Sequence, residues 1–296
     1  MAKSIYKDKK YKEKIYQLYD NFAADLPAPL EEGYLDTNFG RTHYLMLGSP
    51  DRPILVHFHG GNSLNPYALL PLVEFTDKFR ILSPDIIGQP GKSAENRLNP
   101  KSLDHGRWAR EFLNHFPGEK YNCLGVSYGG GVLMHLAAVS PASINKAAYL
   151  VPTGFVRANT FDNLRLFGLP LLRYYIKRSQ KNLQSVLQPL IGDVSLLTDR
   201  ELEMFKLIFD GLKLSTGMPR PVEKEELLDF NSPCLLAVAE NDIMCPADRV
   251  TEFARSRLSS LDRIINFENR PHMVTSYHDS LSHFLTELDR FFQINS

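Results

Sequence analysis

The sequence predicts an α/β fold: a mostly parallel sheet flanked by helices, with a helical block inserted between two late strands. Three observations predict it. Short apolar runs alternate with helical stretches of about ten residues or more, the pattern of parallel βαβ units. Residues 153–230 interrupt that alternation and read as mostly helical, with Leu, Phe and Tyr on several faces, after which the strands resume. One apolar run ends in Gly125-Val126-Ser127-Tyr128-Gly129 and is followed by an Ala/Leu/Val-rich helix.

The elements follow in chain order. Tyr11, Ile15, Leu18 and Phe22 recur at helical spacing and put a helix in the N-terminal segment, residues 1–32. Its lysines could meet a partner or lipid headgroups; the simpler reading is a solvated basic face on a helix docked to the body. Tyr34–Asp36 and Thr42–Leu47 make an antiparallel start broken by Asn38-Phe39-Gly40. Ile54–Phe58 is a buried strand that runs into His59-Gly60-Gly61. Pro66–Phe75 reads as a helix and Arg80–Ser83 as a strand. A polar, Gly/Pro-containing loop then extends from Asp85 to Asn99. Ser102 caps a helix through His115, stopped by Phe116-Pro117-Gly118. Tyr121–Val126 is a strand, Tyr128–Val139 a helix and Ala147–Val151 a strand. Beyond the helical block come a strand at Cys234–Ala239, a helix at Ala247–Arg257, a strand at Arg263–Phe267 and a helix at Ser276–Phe292. The expected organisation is an N-terminal helical segment (1–32), a core (33–152 and 231–296) and a helical insertion (153–230).

Composition narrows the function. A chain of 296 residues, 43% apolar, suffices for one large α/β domain with an insertion. The formal net charge is zero, which favours neither nucleic acid nor an anionic membrane. Cys123, Cys234 and Cys245 show no metal spacing and no disulfide framework. Cys123 and Cys234 fall in apolar runs, so they read as buried, inert thiols suited to a reducing compartment. Met1–Asp20 is rich in Lys and Tyr and lacks the apolar stretch of a secretory signal. No stretch is apolar enough over a membrane-spanning length. A cytoplasmic protein is expected.

The Gly-x-Ser-x-Gly run carries the chemistry. Placed between a strand and a helix, it forces Ser127 onto a sharp turn, with room for only glycine at Gly125 and Gly129, and lifts the hydroxyl above the sheet edge. A serine hydroxyl needs a base within hydrogen-bond reach and a third group to orient that base. Of nine histidines, His272 lies just past the last strand, at a C-terminal strand edge where α/β sites form. His43 and His57 sit in strands and His59 in the His-Gly turn. His105, His115 and His135 fall in helices, and His278 and His283 suit the final helix. The orienting acid belongs on the loop after an earlier strand. Glu240-Asn241-Asp242 follows Cys234–Ala239, and Asp242 is the choice, with Glu240 the alternate; Asp248 caps or begins the next helix. The attack creates an oxyanion that needs donors. The N–H groups of Gly61 and Tyr128 fit that role, with Asn62 an alternative to Gly61. No metal or organic cofactor is required.

With these residues in place, the chain resembles the α/β-hydrolase superfamily over roughly residues 34–292. The matching pieces are His59-Gly60-Gly61, the Asp85-Ile86-Ile87-Gly88-Gln89-Pro90-Gly91-Lys92-Ser93 segment, Gly125–Gly129, Asp242 and His272, in the superfamily order Ser, Asp, His. Within it, the Asp85–Ser93 segment and the length are similar to small bacterial carboxylesterases. Two positions depart from the family pattern: Pro271 stands where glycine usually precedes the histidine, and Tyr277-His278-Asp279 replaces the usual Glu-x-Pro. Serine at 127 argues against the branches with an aspartate nucleophile. The resemblance makes residues 153–230 a cap over the site. Its apolar residues, Phe155, Phe161 and those within Leu164–Ile176, would line an acyl or alcohol pocket or form the cap's own core. Arg165, Arg173, Lys177, Arg178 and Lys181 would face solvent or bind an acidic substrate group. The activity implied is hydrolysis of small-molecule esters with an apolar acyl or alcohol part through an acyl-enzyme. Amidase, lactonase and carbon–carbon bond hydrolase share the triad, and a non-catalytic receptor on the same scaffold is the alternative of another class.

Overall fold

The computed structural model describes residues 4–27, 29–157, 164–213 and 217–293. Its sheet has eight strands: β1 (Leu30–Thr37), β2 (Gly40–Leu47), β3 (Ile54–Phe58), β4 (Arg80–Pro84), β5 (Tyr121–Val126), β6 (Ile144–Leu150), β7 (Cys234–Ala239) and β8 (Leu261–Phe267), in spatial order β1-β2-β4-β3-β5-β6-β7-β8. From β4 through β8 all neighbours are parallel; β1 and β2 form an antiparallel hairpin whose second strand pairs with β4. The inner strands β5 and β7 are buried almost throughout, because helices cover both faces of a parallel sheet.

The helices are α1 (Lys9–Ala23), α2 (Asn65–Leu69), α3 (Asp104–Leu113), α4 (Tyr128–Val139), α5 (Leu169–Ile176), α6 (Gln180–Ile191), α7 (Asp199–Gly211), α8 (Ala247–Arg257) and α9 (His278–Phe292). Two apolar cores result, one on each face of the sheet. Trp108, Phe112, Leu133 and Leu136 pack on one face, and Leu69, Phe75, Phe284 and Leu288 on the other. Among the described residues, no helix is long and apolar enough to cross a membrane.

Several expectations need correction. The helix expected over Pro66–Phe75 is two pieces, α2 and a 3₁₀ stretch Leu70–Asp77, since Pro71 has no N–H to continue an α-helical ladder. Ser102 stands one residue before the N-cap, Leu103, yet its Oγ accepts the Asp104 N–H at 3.2 Å at the start of α3; His115 lies past the helix end. The last helix starts at His278 rather than Ser276, which lies in a 3₁₀ turn. The stripe on α1 docks as expected, with Ile15, Leu18, Tyr19 and Phe22 buried. Its basic residues are less free than expected. Lys12 pairs with Glu95 at 2.7 Å. Just before the helix, Lys7 Nζ donates to the Phe209 and Asp210 carbonyls of α7 at 3.1 and 2.9 Å. Residues flanking it form an antiparallel bridge from Tyr6 to Leu212, so the N-terminus ties the inserted helices to the core.

Candidate active site

Ser127 sits between β5 and α4 with φ 50° and ψ −113°, a strained conformation for a side-chain-bearing residue. The surroundings enforce it. A Cβ at Gly129 would lie 1.9 Å from the Phe58 carbonyl oxygen, and one at Gly125 would lie 2.7 Å from the Gly129 oxygen. Only glycine allows β3, β5 and α4 to approach this closely, so the serine is presented at the sheet's C-terminal edge.

Three residues from distant parts of the chain meet there. His272 Nε2 lies 2.8 Å from Ser127 Oγ, and His272 Nδ1 lies 2.7 Å from Asp242 Oδ2. Asp242 and His272 are buried, while Ser127 is partly open. Asp242 Oδ1 accepts the N–H groups of Met244 and Cys245 at 2.8 and 2.9 Å, which fixes the carboxylate with its other oxygen facing the imidazole. The alternate acid, Glu240, is elsewhere: it is exposed and accepts the Asn269 N–H at 2.7 Å. Asp248 lies in the first turn of α8.

The His59-Gly60-Gly61 turn faces the serine. A Cβ at Gly61 would touch Tyr128 Cβ at 3.0 Å, so the two backbones lie side by side. The Tyr128 N–H is the first of α4 and has no carbonyl one turn back to bond to. Asn62 does not take the place of Gly61, because its N–H donates to Gln89 Oε1 at 2.9 Å. His59 is buried, which holds its pKa below the usual value and keeps it neutral. In that form Nδ1–H donates to the Gly60 carbonyl at 2.8 Å and Nε2 accepts the Ile86 N–H at 3.2 Å, tying the turn to the loop after β4.

Two side chains beside the serine turn, Gln89 and Asp85, were not singled out from sequence. The Gln89 side chain accepts from Asn62 and also hydrogen-bonds the Tyr128 hydroxyl. That hydroxyl in turn lies 2.7 Å from His105 Nε2. Gln89 stands within the Asp85–Ser93 segment, and its place just after a strand edge is the only signal it gives. Behind it, Asp85 is held by Tyr19, Asn65 and Lys92 N–H at 2.8, 2.9 and 2.7 Å, with His43 at 3.1 Å. Hydrogen bonding to His43 is the main influence that lowers its pKa despite the opposing cost of burial.

The inserted helices touch the His272 loop directly. Met273 N–H donates to the Leu190 carbonyl at 2.8 Å, and the Tyr277 hydroxyl donates to the Ile191 carbonyl at 2.7 Å. Gly192, at the end of α6, faces Pro271 and Tyr277: a Cβ there would meet Tyr277 Oη at 2.5 Å and Pro271 Cγ at 3.2 Å. The two positions that depart from the family pattern are thus contact points for the insertion. Of the insertion's apolar residues, Phe155 is buried against Tyr149 and Phe253, and Phe161 lies outside the described residues. Tyr174 is buried in a core, with Phe167, Leu171 and Tyr175 packed against it, whereas Leu164, Leu169, Leu172 and Ile176 are exposed.

Asp242, Cys245 and His272 are the one group of three among the described residues whose metal-ligand atoms lie within 4.8 Å of one another. The carboxylate and imidazole are already bonded to each other. Burial pushes the Cys245 thiol up, so it keeps its proton. The trio is built as a hydrogen-bonded pair beside an inert thiol, not as a cation site.

Comparison with known proteins agrees with this architecture. The family model described as the alpha/beta hydrolase fold matches residues 53–199. An uncharacterised carboxylesterase, Nap, of Bacillus subtilis (strain 168) is 26% identical over 237 residues, covering 77% of this chain and 76% of that protein. The crystal structure of naproxen esterase (carboxylesterase NP) from B. subtilis superposes with a TM-score of 0.83 at 22% identity, covering 97% of this chain and all of that one. That of carboxylesterase CesB (YbfK) from B. subtilis gives 0.79 at 20% identity, over 96% and 98% of the two chains. The chain has the α/β-hydrolase fold.

Proposed function

We propose that the protein is a serine hydrolase that cleaves carboxylic esters through an acyl-enzyme intermediate. The observation that carries this reading is the unbroken line of hydrogen bonds from Ser127 through His272 to Asp242, at 2.8 and 2.7 Å. Its carboxylesterase relatives support esters as the substrate class.

The steps follow from the geometry. His272 Nε2 takes the hydroxyl proton as Ser127 Oγ bonds to the ester carbonyl carbon. The carbonyl electron pair moves to oxygen, and the resulting oxyanion accepts from the Tyr128 and Gly61 N–H groups. Asp242 holds the Nδ1–H tautomer and stabilises the imidazolium. Collapse of the tetrahedral species breaks the ester C–O bond, and the alcohol departs with the Nε2 proton. Water then gives a proton to Nε2 as its oxygen attacks the acyl carbon. The acid leaves and Ser127 regains its proton.

Residues 153–230 act as a cap, holding the His272 loop through Leu190 and Ile191 and excluding water from the site. The three buried, unpaired thiols support the cytoplasm as the working compartment. Hydrolysis of a p-nitrophenyl ester tests the reading. Ser127→Ala should lower turnover by on the order of 10⁴ to 10⁶ with an unchanged unfolding midpoint. Full activity in that variant, free of contaminating esterase, would refute it. A panel of amides, lactones and carbon–carbon substrates measures how far ester specificity extends.

A further inference from the structure

We propose that the outer face of α5 docks the protein onto an anionic lipid surface. The helical stretch Leu164–Ile176 is anchored by its inner side. Tyr174 is fully buried, with its hydroxyl on Asp210 at 3.0 Å, and the Tyr175 hydroxyl donates to the Phe209 carbonyl at 3.0 Å. Leu169, Leu172 and Ile176 recur at spacings of three and four, and so share the opposite side. They are 45%, 56% and 78% exposed. A soluble helix normally turns such a stripe inward.

The charges around this stripe give it an occupant. Residues 163–192 contain Arg165, Arg173, Lys177, Arg178 and Lys181 and not one Asp or Glu. The protein's zero net charge conceals this local excess. All five are exposed. Arg178 lies 3.6 Å from Asp210. Among the described residues, the other four have no carboxylate partner. A protruding apolar ridge flanked by exposed cations suits the boundary between headgroups and acyl chains, with the leucines and isoleucine entering and the cations meeting lipid phosphates. A second copy fits poorly, since two-fold pairing of this face would set five cations against five. The docking is peripheral and independent of the chemistry proposed above.

The test is co-sedimentation of the full chain with phosphatidylcholine vesicles that contain or lack phosphatidylglycerol. Binding is expected only with phosphatidylglycerol, weakening as salt screens the charges. Arg173→Gln with Lys177→Gln should weaken it by about fivefold per charge removed. Leu172→Ser with Ile176→Ser should abolish it. Both pairs should keep the wild-type unfolding midpoint and turnover of p-nitrophenyl acetate, so lost docking is distinguishable from lost folding or from failure of the esterase reading. Absence of wild-type binding would overturn the proposal, as would binding indifferent to both pairs. A concentration-dependent dimer broken by Leu172→Ser with Ile176→Ser, without vesicle binding, would overturn it in favour of self-association.

Discussion

His272 Nδ1 lies 2.7 Å from Asp242 Oδ2, and the other carboxylate oxygen is occupied by the backbone N–H groups of Met244 and Cys245. The carboxylate therefore has one oxygen free for the imidazole, which must present Nδ1–H to it and leave Nε2 to accept from Ser127. Asp242→Asn presents the imidazole with an amide that can donate to Nδ1 and so favours the wrong tautomer. Its kcat should fall by about 10³ to 10⁴ while the protein stays folded. Steady-state kinetics beside a thermal melt measure this.

Glycines around the serine differ sharply in what they tolerate. A Cβ at Gly129 collides with the Phe58 carbonyl at 1.9 Å, whereas one at Gly60 comes no closer than 3.9 Å to Ser127 Cβ. Gly129→Ala should destabilise by about 3 kcal/mol or more, because β3 and α4 must move apart. Gly60→Ala should unfold at nearly the wild-type denaturant midpoint. Urea titrations of the two variants provide the contrast.

Acid should weaken the fold well above the carboxylate range. Burial lowers the pKa of His57 and His105 to about 3 and that of His135 to about 4. In the unfolded chain each titrates near its ordinary value of about 6.5. Between those limits the unfolded state binds protons that the folded state does not, so stability rises with pH. The full contribution is present above about pH 6.5. It is lost on acidification at up to about 1.4 kcal/mol per pH unit for each histidine. Buried His59 is held neutral in the same way, so four histidines share the slope; His135→Gln can still donate to the Arg220 carbonyl that His135 meets at 2.9 Å, and it should make the slope shallower by roughly a quarter. Unfolding free energies from pH 7 down to about 5.5, more than a unit above the unfolded glutamate value of about 4.3, give the slope with little contribution from carboxylates.

Tyr277 links the insertion to the loop that carries His272. Its hydroxyl donates to the Ile191 carbonyl at 2.7 Å and accepts the Asp193 N–H at 3.3 Å. Tyr277→Phe should cost about 1 kcal/mol of stability. It should also lower kcat/KM on the order of tenfold, by loosening the loop that holds His272. Kinetics on one ester, with limited proteolysis of the insertion, separate the two effects.

Much of this was legible because local patterns fix it. The apolar runs of β5 and β7 have no solvent face to alternate with, and Gly125 and Gly129 announce a turn that no side chain fits. Asp242 and His272 could be chosen from chain order and their places after strands. Gln89 could not, because its role rests on contacts with Asn62 and Tyr128 that leave no periodic trace. The pairing of Tyr6 with Leu212 is hidden for the same reason, being a contact across some two hundred residues. The stripe on α5 shows the opposite problem. Its spacing reveals an apolar face but not whether that face turns inward, and only the anchoring of Tyr174 and Tyr175 decides it.

The central claim is that His272 makes the Ser127 hydroxyl nucleophilic. Labelling with a fluorophosphonate, followed by peptide mass spectrometry, tests it most directly. One adduct on Ser127 is predicted, absent from a folded His272→Ala variant. An adduct on another residue, or an equal labelling rate in His272→Ala, would contradict the account.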